Sequence, residues 1–233
     1  RGGQGMLTVV FYWLATSFLR LCVFIWSRRE VVGLENVPRR GPAILASNHL
    51  NLADPPLLAA LVPRRLIFMG KIELWTTPVI GPLYGLYGCI PVRRFEADVA
   101  ALRRAEKVLR QGHMLVMFPE GTRSRHPGLG KGHPGTAVIA LRSGVPIVPV
   151  GVSGTEVVSL PGCFLRRTRV RIAFGRPFTL PCGQRLTTEL AEEGTERIMR
   201  EIAALLPEAY RGTYAGATTR TKRRAERVAR LGE

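Results

Sequence analysis

Residues 41–62 read GPAILASNHLNLADPPLLAALV, and the order of residue types along this stretch decides the fold. AILAS (43–47) is an apolar run without polar alternation, the pattern of a strand covered on both faces. Downstream, Asp54-Pro55-Pro56 ahead of LLAAL is a strong helix start. The residue before a proline avoids helical geometry, and a proline at the first helical position gives up no useful N–H. The expectation is Asp54 as N-cap with Pro55 at N1. Between strand and helix lie one imidazole and one carboxylate, His49 and Asp54. On a continuous helix a five-residue step turns through about 500° and leaves two side chains about 140° apart, so these two meet only across a turn. A turn brings the carboxylate back onto one ring nitrogen and leaves the other free to take a proton. Taken alone, the residues also allow a blander reading, with Asp54 only a cap and His49 an ordinary hydrogen-bonded strand end.

Outward from this unit, short apolar runs alternate with helical stretches, and Gly or Pro punctuates each change. Strands are expected at 66–70, 89–92, 115–118, 147–152 and 170–174, beside 43–47. ADVAALRRAEKVLRQG has apolar residues at helical spacing, with Asp98 as N-cap and Gly112 as its stop. GTAVIALRSG and LTTELAEEGTERIMREIAALLP supply two more helices. The sum is an α/β fold with a central, mostly parallel mixed sheet flanked by helices. The expected organisation is an N-terminal membrane-associating helical segment at 1–37, an α/β domain at 38–210 and a basic tail at 211–233.

The N-terminal run MLTVVFYWLATSFLRLCVFIWSRRE is apolar but interrupted by Arg20 and closed by Arg28 and Arg29. A bilayer span needs about 20 apolar residues, and an arginine near mid-helix costs at least about 2.5 kcal/mol. An interfacial or single-anchor helix is therefore expected, with Tyr12, Trp13 and Trp26 at headgroup level and the arginines on anionic phosphates. With 34 basic and 17 acidic residues in 233, the formal charge is +17, and 46% of residues are apolar. That pairing suggests a partner both greasy and anionic. Part of the charge sits in the tail, where Arg220, Lys222, Arg223, Arg224, Arg227 and Arg230 also suit a solvated helix. Nothing in the chain has a recognition-helix, zinc-finger or RNA-binding signature, which argues against nucleic acid. Cys22, Cys89, Cys163 and Cys182 are far apart, so neither a zinc site nor a dense disulfide framework is indicated, and a reducing compartment fits.

Two further junctions carry polar chemistry. FPEGTRS (118–124) follows a strand and sets a carboxylate, a glycine, a hydroxyl and a guanidinium within a few residues. Gly121 permits close backbone approach, and Arg123 offers a forked donor suited to phosphate. GCIPVRRFE brings Arg93 and Arg94 to another strand end, and strand ends of such sheets are where ligands bind. GKGHPG (130–135) matches G-x-G-x-x-G by letter only. No strand immediately precedes it and Pro134 breaks it, so a dinucleotide site is rejected. His113, His126 and His133 have no ligand spacing relative to His49, so no metal is expected.

The N-H-x-x-x-x-D spacing of NHLNLAD resembles that of the glycerolipid acyltransferases, most closely the bacterial lysophosphatidic acid acyltransferases. Four blocks occur in that family's order: NHLNLADP, GCIPVRR, FPEGTRS and VPIVPVGV, within 48–152. The resemblance implies transfer of a fatty acyl group from a thioester of coenzyme A or acyl carrier protein to the free sn-2 hydroxyl of 1-acylglycerol-3-phosphate, on the cytoplasmic face of the cell membrane and with no further cofactor. It makes His49 the general base and Asp54 its orienting partner. It gives Arg94, Glu120, Gly121, Thr122 and Arg123 to the glycerol phosphate, Lys71 to a supporting basic position, and Pro149 to the acyl site. Pro91 and Arg93 stand where many members have an aromatic and an acid, and His133 stands where a lysine is common. These departures bear on the choice of acceptor. Imidazole, with a reference pKa of about 6.5, suits proton removal from an alcohol at neutral pH.

Overall fold

A computed structural model describes residues 6–78, 80–94, 98–124, 128–158, 167–183 and 185–216. The tail from 217 onward, together with Cys163 and His126, lies outside the described residues. The chain forms a seven-stranded sheet from β1 (Ser27–Val32), β2 (Ala43–Ser47), β3 (Leu66–Lys71), β4 (Ile90–Val92), β5 (Met114–Met117), β6 (Ile147–Ser153) and β7 (Thr168–Phe174). Their order is β1-β7-β6-β2-β5-β3-β4. Every pairing is parallel except β6 with β7. The helices are α1 (Met6–Trp26), α2 (Asp54–Leu61), α3 (Ile80–Tyr87), α4 (Val99–Arg110), α5 (Gly135–Ser143) and α6 (Thr188–Leu205).

The apolar runs are unalternated because the sheet has a core on each face. In β2, Leu45 packs into the core shared with Leu57 and Leu58 of α2 and Trp26 of α1. Its neighbours Ile44 and Ala46 enter the core shared with Ala105 and Leu109 of α4, Ile139 of α5 and Ile198 of α6. Each fully buried Leu or Ile contributes about 1.5–3 kcal/mol, so both layers are strongly held. Asp98 caps α4 by accepting from Ala101 N–H at 2.9 Å, and Gly112 takes the left-handed conformation (φ 80°) just past its end. Gly132 of the false dinucleotide motif is a packing residue: a Cβ there would lie 2.7 Å from Met199 and 2.8 Å from Thr195 of α6.

Three expectations about element boundaries are corrected. Residues 27–32, expected within the N-terminal helical segment, form β1, which pairs in parallel register with β7. SRREVV is charged because it is an edge strand whose outward residues meet solvent, so it lacks the apolar run that marks the central strands. At the other end, 211–216 belongs to the packed domain rather than to a tail. Tyr214 is buried, and Leu129 accepts from Thr213 N–H at 3.3 Å. Finally, Asp54 is not the N-cap of α2. Ala53 occupies that position, and Asp54 is the first helical residue with its carboxylate turned away to other donors.

Helix α1 is docked along the domain. Tyr12, Thr16, Val23 and Trp26 are buried. The Tyr12 hydroxyl accepts from Leu66 N–H at 2.9 Å, and Arg20 Nε donates to the Ala60 carbonyl of α2 at 3.0 Å. Its other face is apolar and open, with Leu14 67%, Phe18 65%, Leu21 56% and Phe24 59% exposed. The stretch Thr8–Trp26 is long and apolar enough to cross a membrane by length and composition.

Candidate active site

The site is built where β2 ends. Asn48 fastens that end to β6: its Nδ2 donates to the Val152 carbonyl at 2.8 Å and its Oδ1 accepts from Val152 N–H at 2.7 Å. The chain then turns through Leu50 and Asn51 into α2, and Asp54 folds back as the spacing required. Its Oδ2 accepts from Leu50 N–H at 2.7 Å, from Asn51 N–H at 2.8 Å and from His49 Nδ1 at 2.8 Å. An ionised carboxylate only accepts, so Nδ1 carries the hydrogen and Nε2 keeps its lone pair in the neutral ring. Asp54 is fully buried and His49 is 5% exposed. The ring is clamped from one side by Phe118, stacked with centroids 4.2 Å apart and planes at 25°. Among the described residues Asp54 Oδ1 has no hydrogen-bond partner. The buried charge is therefore incompletely compensated, and an imidazolium on His49 compensates it further.

The turn after β5 closes around the same point. Gly121 has φ 67°, and its N–H bonds the Phe118 carbonyl at 2.9 Å, a tight turn that a side chain would strain. Glu120, 5% exposed, points into the protein. Its Oε1 accepts from His49 N–H at 3.2 Å, and its Oε2 accepts from the Ser124 hydroxyl at 2.7 Å and Gly130 N–H at 2.9 Å. The His49 carbonyl in turn accepts from Ser124 N–H at 2.7 Å. The carboxylate is thus consumed in tying the β5 loop to the backbone of His49, which leaves it poorly placed for the phosphate contact that the resemblance implied.

His49 lines a cleft of about 500 Å³ together with Arg94, Gly121 and His133 and with apolar residues such as Met69, Leu102 and Ile139. Asp98 also lines it. Hydrogen bonds from the backbone N–H groups of Arg93 and then Ala101 hold its carboxyl below the ordinary aspartate value. Arg94 is half-buried. Burial lowers its pKa, nearby Glu73 opposes that, and Arg123 lowers it further, so the two guanidinium groups feel each other. Lys71 pairs with Glu73 at 3.1 Å with both side chains exposed. Thr122 and Arg123 are exposed on the turn beside the cleft rather than lining it. Pro149 is elsewhere: it is buried in β6 opposite Ala46, its carbonyl accepts from Gly175 N–H at 2.9 Å, and it is absent from the cleft wall. Among the described residues no group of three His, Cys, Asp or Glu side chains has a metal-holding arrangement.

Sequence reasoning missed the supporting roles of Asn48, Phe118 and Ser124. Each was inside a quoted block, within two positions of a residue already singled out, and that proximity was the available signal.

A family model described as acyltransferase matches residues 28–153, from β1 through the end of β6. The chain belongs to the acyltransferase family. Its relatives include a chloroplastic 1-acyl-sn-glycerol-3-phosphate acyltransferase of Brassica napus, 29% identical over 71% of this chain and 49% of the relative. A 1-acyl-sn-glycerol-3-phosphate acyltransferase of Streptococcus pneumoniae is 34% identical over 70% of this chain and 60% of its own length. A lyso-ornithine lipid O-acyltransferase of Pseudomonas aeruginosa is 34% identical over 61% and 52%. The chain thus spans about half the length of the curated relatives it matches. Among solved structures, the 1-acyl-sn-glycerophosphate acyltransferase PlsC of Thermotoga maritima superposes with TM-score 0.65 at 27% identity, covering 82% of this chain and 78% of that one. The His49 corner of this acyltransferase domain therefore lies inside the matched region, while α1 and α6 lie outside it.

Proposed function

We propose that the chain transfers a fatty acyl group from an acyl thioester to the sn-2 hydroxyl of 1-acylglycerol-3-phosphate, giving phosphatidic acid. The observation that carries this reading is the 2.8 Å contact of His49 Nδ1 with buried Asp54 at a cleft lined by both a guanidinium and apolar side chains. His49 Nε2 takes the hydroxyl proton as the acceptor oxygen attacks the thioester carbonyl. The tetrahedral adduct collapses, the C–S bond breaks, and the imidazolium returns the proton to the departing thiolate. General-base assistance of this kind is worth about 10² to 10⁴ in rate. Asp54 holds the tautomer and stabilises the imidazolium, the part played by the carboxylate in serine-protease triads.

Arg94 and Arg123 hold the acceptor phosphate, with Lys71 and Thr122 at its margin, and Gly121 lets the backbone close on it. Glu120 positions His49. The apolar lining of the cleft, Met69, Leu102 and Ile139, takes acyl chain, and Pro149 inside the sheet does not. The donor is a thioester of coenzyme A or acyl carrier protein, and no other cofactor enters. The open face of α1 rests in an anionic cytoplasmic leaflet, where the lipid substrate and product reside. Substituting Phe18 and Leu21 with Ser is expected to release the protein from neutral vesicles.

A second reading, the same chemistry on another lysolipid, is favoured by the relative named for lyso-ornithine lipid. Detergent-purified protein assayed with a panel of lysolipids and acyl thioesters tests both. Phosphate-bearing acceptors are expected to dominate, turnover of lyso-ornithine lipid alone would support the second reading, and no transfer to any acceptor would return the chain to a non-catalytic basic protein that binds membranes or nucleic acid.

A further inference from the structure

A second cleft, of about 650 Å³, opens where β1 and β7 begin beside the end of β6. It shares no lining residue with the His49 cleft. Among the described residues five arginines line it, Arg28, Arg29, Arg167, Arg169 and Arg171, against the single acid Glu30. Their engagements are unequal. Arg171 pairs with Glu30 at 3.2 Å and donates to the Leu205 carbonyl at 3.0 Å. Arg29 and Arg167 reach the carbonyls of Val23 and Phe24 in the last turn of α1. The one further acid nearby, Glu156, accepts from the Tyr210 hydroxyl and from Gly154 N–H.

Arg28 and Arg169 are different. They are register partners on adjacent strands, both exposed, and neither has an ion pair or side-chain hydrogen bond among the described residues. Like charges directly opposite on neighbouring strands destabilise a sheet, and a phosphate bridging two guanidinium groups removes that cost. The border of the cleft identifies the source of the phosphate. Phe24 both lines the cleft and belongs to the open apolar face of α1 with Phe18, Leu21 and Ile25. Charge above and hydrocarbon beside is the layout of a lipid at a bilayer surface, whereas a soluble phosphate ester has no use for the apolar border.

We propose that the β1–β7 cleft binds the phosphate headgroup of an anionic phospholipid, through Arg28 and Arg169, at a site separate from the His49 cleft. This rests on the reading of α1 as the membrane-facing helix. Bound there, the lipid fixes how the domain sits on the bilayer at the end of the sheet that carries His49.

The test is vesicle co-sedimentation at physiological salt, with phosphatidylcholine alone and with a minor fraction of phosphatidic acid. Wild type is compared with Arg28→Gln/Arg169→Gln and with a charge-matched control on α4, Arg103→Gln/Lys107→Gln. The wild type is expected to gain affinity when the anionic lipid is added. The cleft variant loses roughly 25-fold of that gain, since each of the two surface arginines contributes about fivefold, and the α4 control stays within about twofold. Binding of the cleft variant equal to wild type, or an equal loss in the control, overturns the proposal. So does erasure of the gain by stoichiometric soluble glycerol 3-phosphate, which would assign the cleft to a free phosphate ester. Intact binding to neutral vesicles without an anionic gain counts against the cleft alone, whereas failure to bind neutral vesicles counts against the membrane reading of α1.

Discussion

The two halves of the His49 cleft are built on opposite plans. At the base, His49, Asp54 and Glu120 are buried and held by hydrogen bonds from backbone N–H groups of two segments of chain, 49–51 and Gly130. At the rim, Lys71 and Arg123 are exposed and Arg94 is half-buried, with Glu73 offsetting Lys71 and Arg94. Proton transfer depends on sub-ångström placement, so its geometry is set during folding, before substrate arrives. Phosphate binding depends on charge and tolerates movement, so its side chains remain solvated until a phosphate orders them. Substitutions at the base should therefore lower kcat, whereas those at the rim should raise KM.

Among the residues that support His49, the largest effect is expected for Asp54→Asn. Losing the charge and the tautomer control should lower kcat by about 10³ or more. An orphaned donor among Leu50 N–H, Asn51 N–H and the imidazole should also lower Tm, which thermal denaturation would register. Glu120→Gln should come next, with kcat down about tenfold and Tm down by a few degrees, because an amide cannot accept all three bonds as strongly as the carboxylate. A rise in acceptor KM alone would instead return Glu120 to the phosphate site. Arg123→Gln should raise acceptor KM about tenfold with kcat nearly unchanged. Lys71→Gln should change KM by about twofold at most, since its partner Glu73 is itself solvent-exposed. A kcat loss without KM change at Arg123 would break the contrast between base and rim.

Much of this division was legible in the sequence. The stretch 43–47 coincides with β2 because a strand buried on both faces has no choice but to be apolar throughout. The five-residue step from His49 to Asp54 required a turn, and the turn is there. What escaped was whatever depended on tertiary context. β1 is charged because it is an edge, and α3, IGPLYGLY, carries two glycines and a proline and is helical where it packs against α1 and the segment 72–76. Asp54 looked like a cap because Asp before Pro usually is one, but the imidazole and two N–H groups outcompete the helix end for its oxygen. Glu120 and Pro149 carry residue types suited to a binding site, yet Glu120 turns inward and Pro149 lies inside the sheet. Direction relative to the cleft is a property of the assembled layers, which a linear motif does not encode.

The most direct test is the single-turnover rate of His49→Ala with both substrates saturating, in protein whose circular dichroism and Tm match the wild type. A fall of at least about 10³ is predicted, because saturation leaves only the proton-transfer step to differ. A folded variant that transfers acyl groups at the wild-type rate would contradict the account.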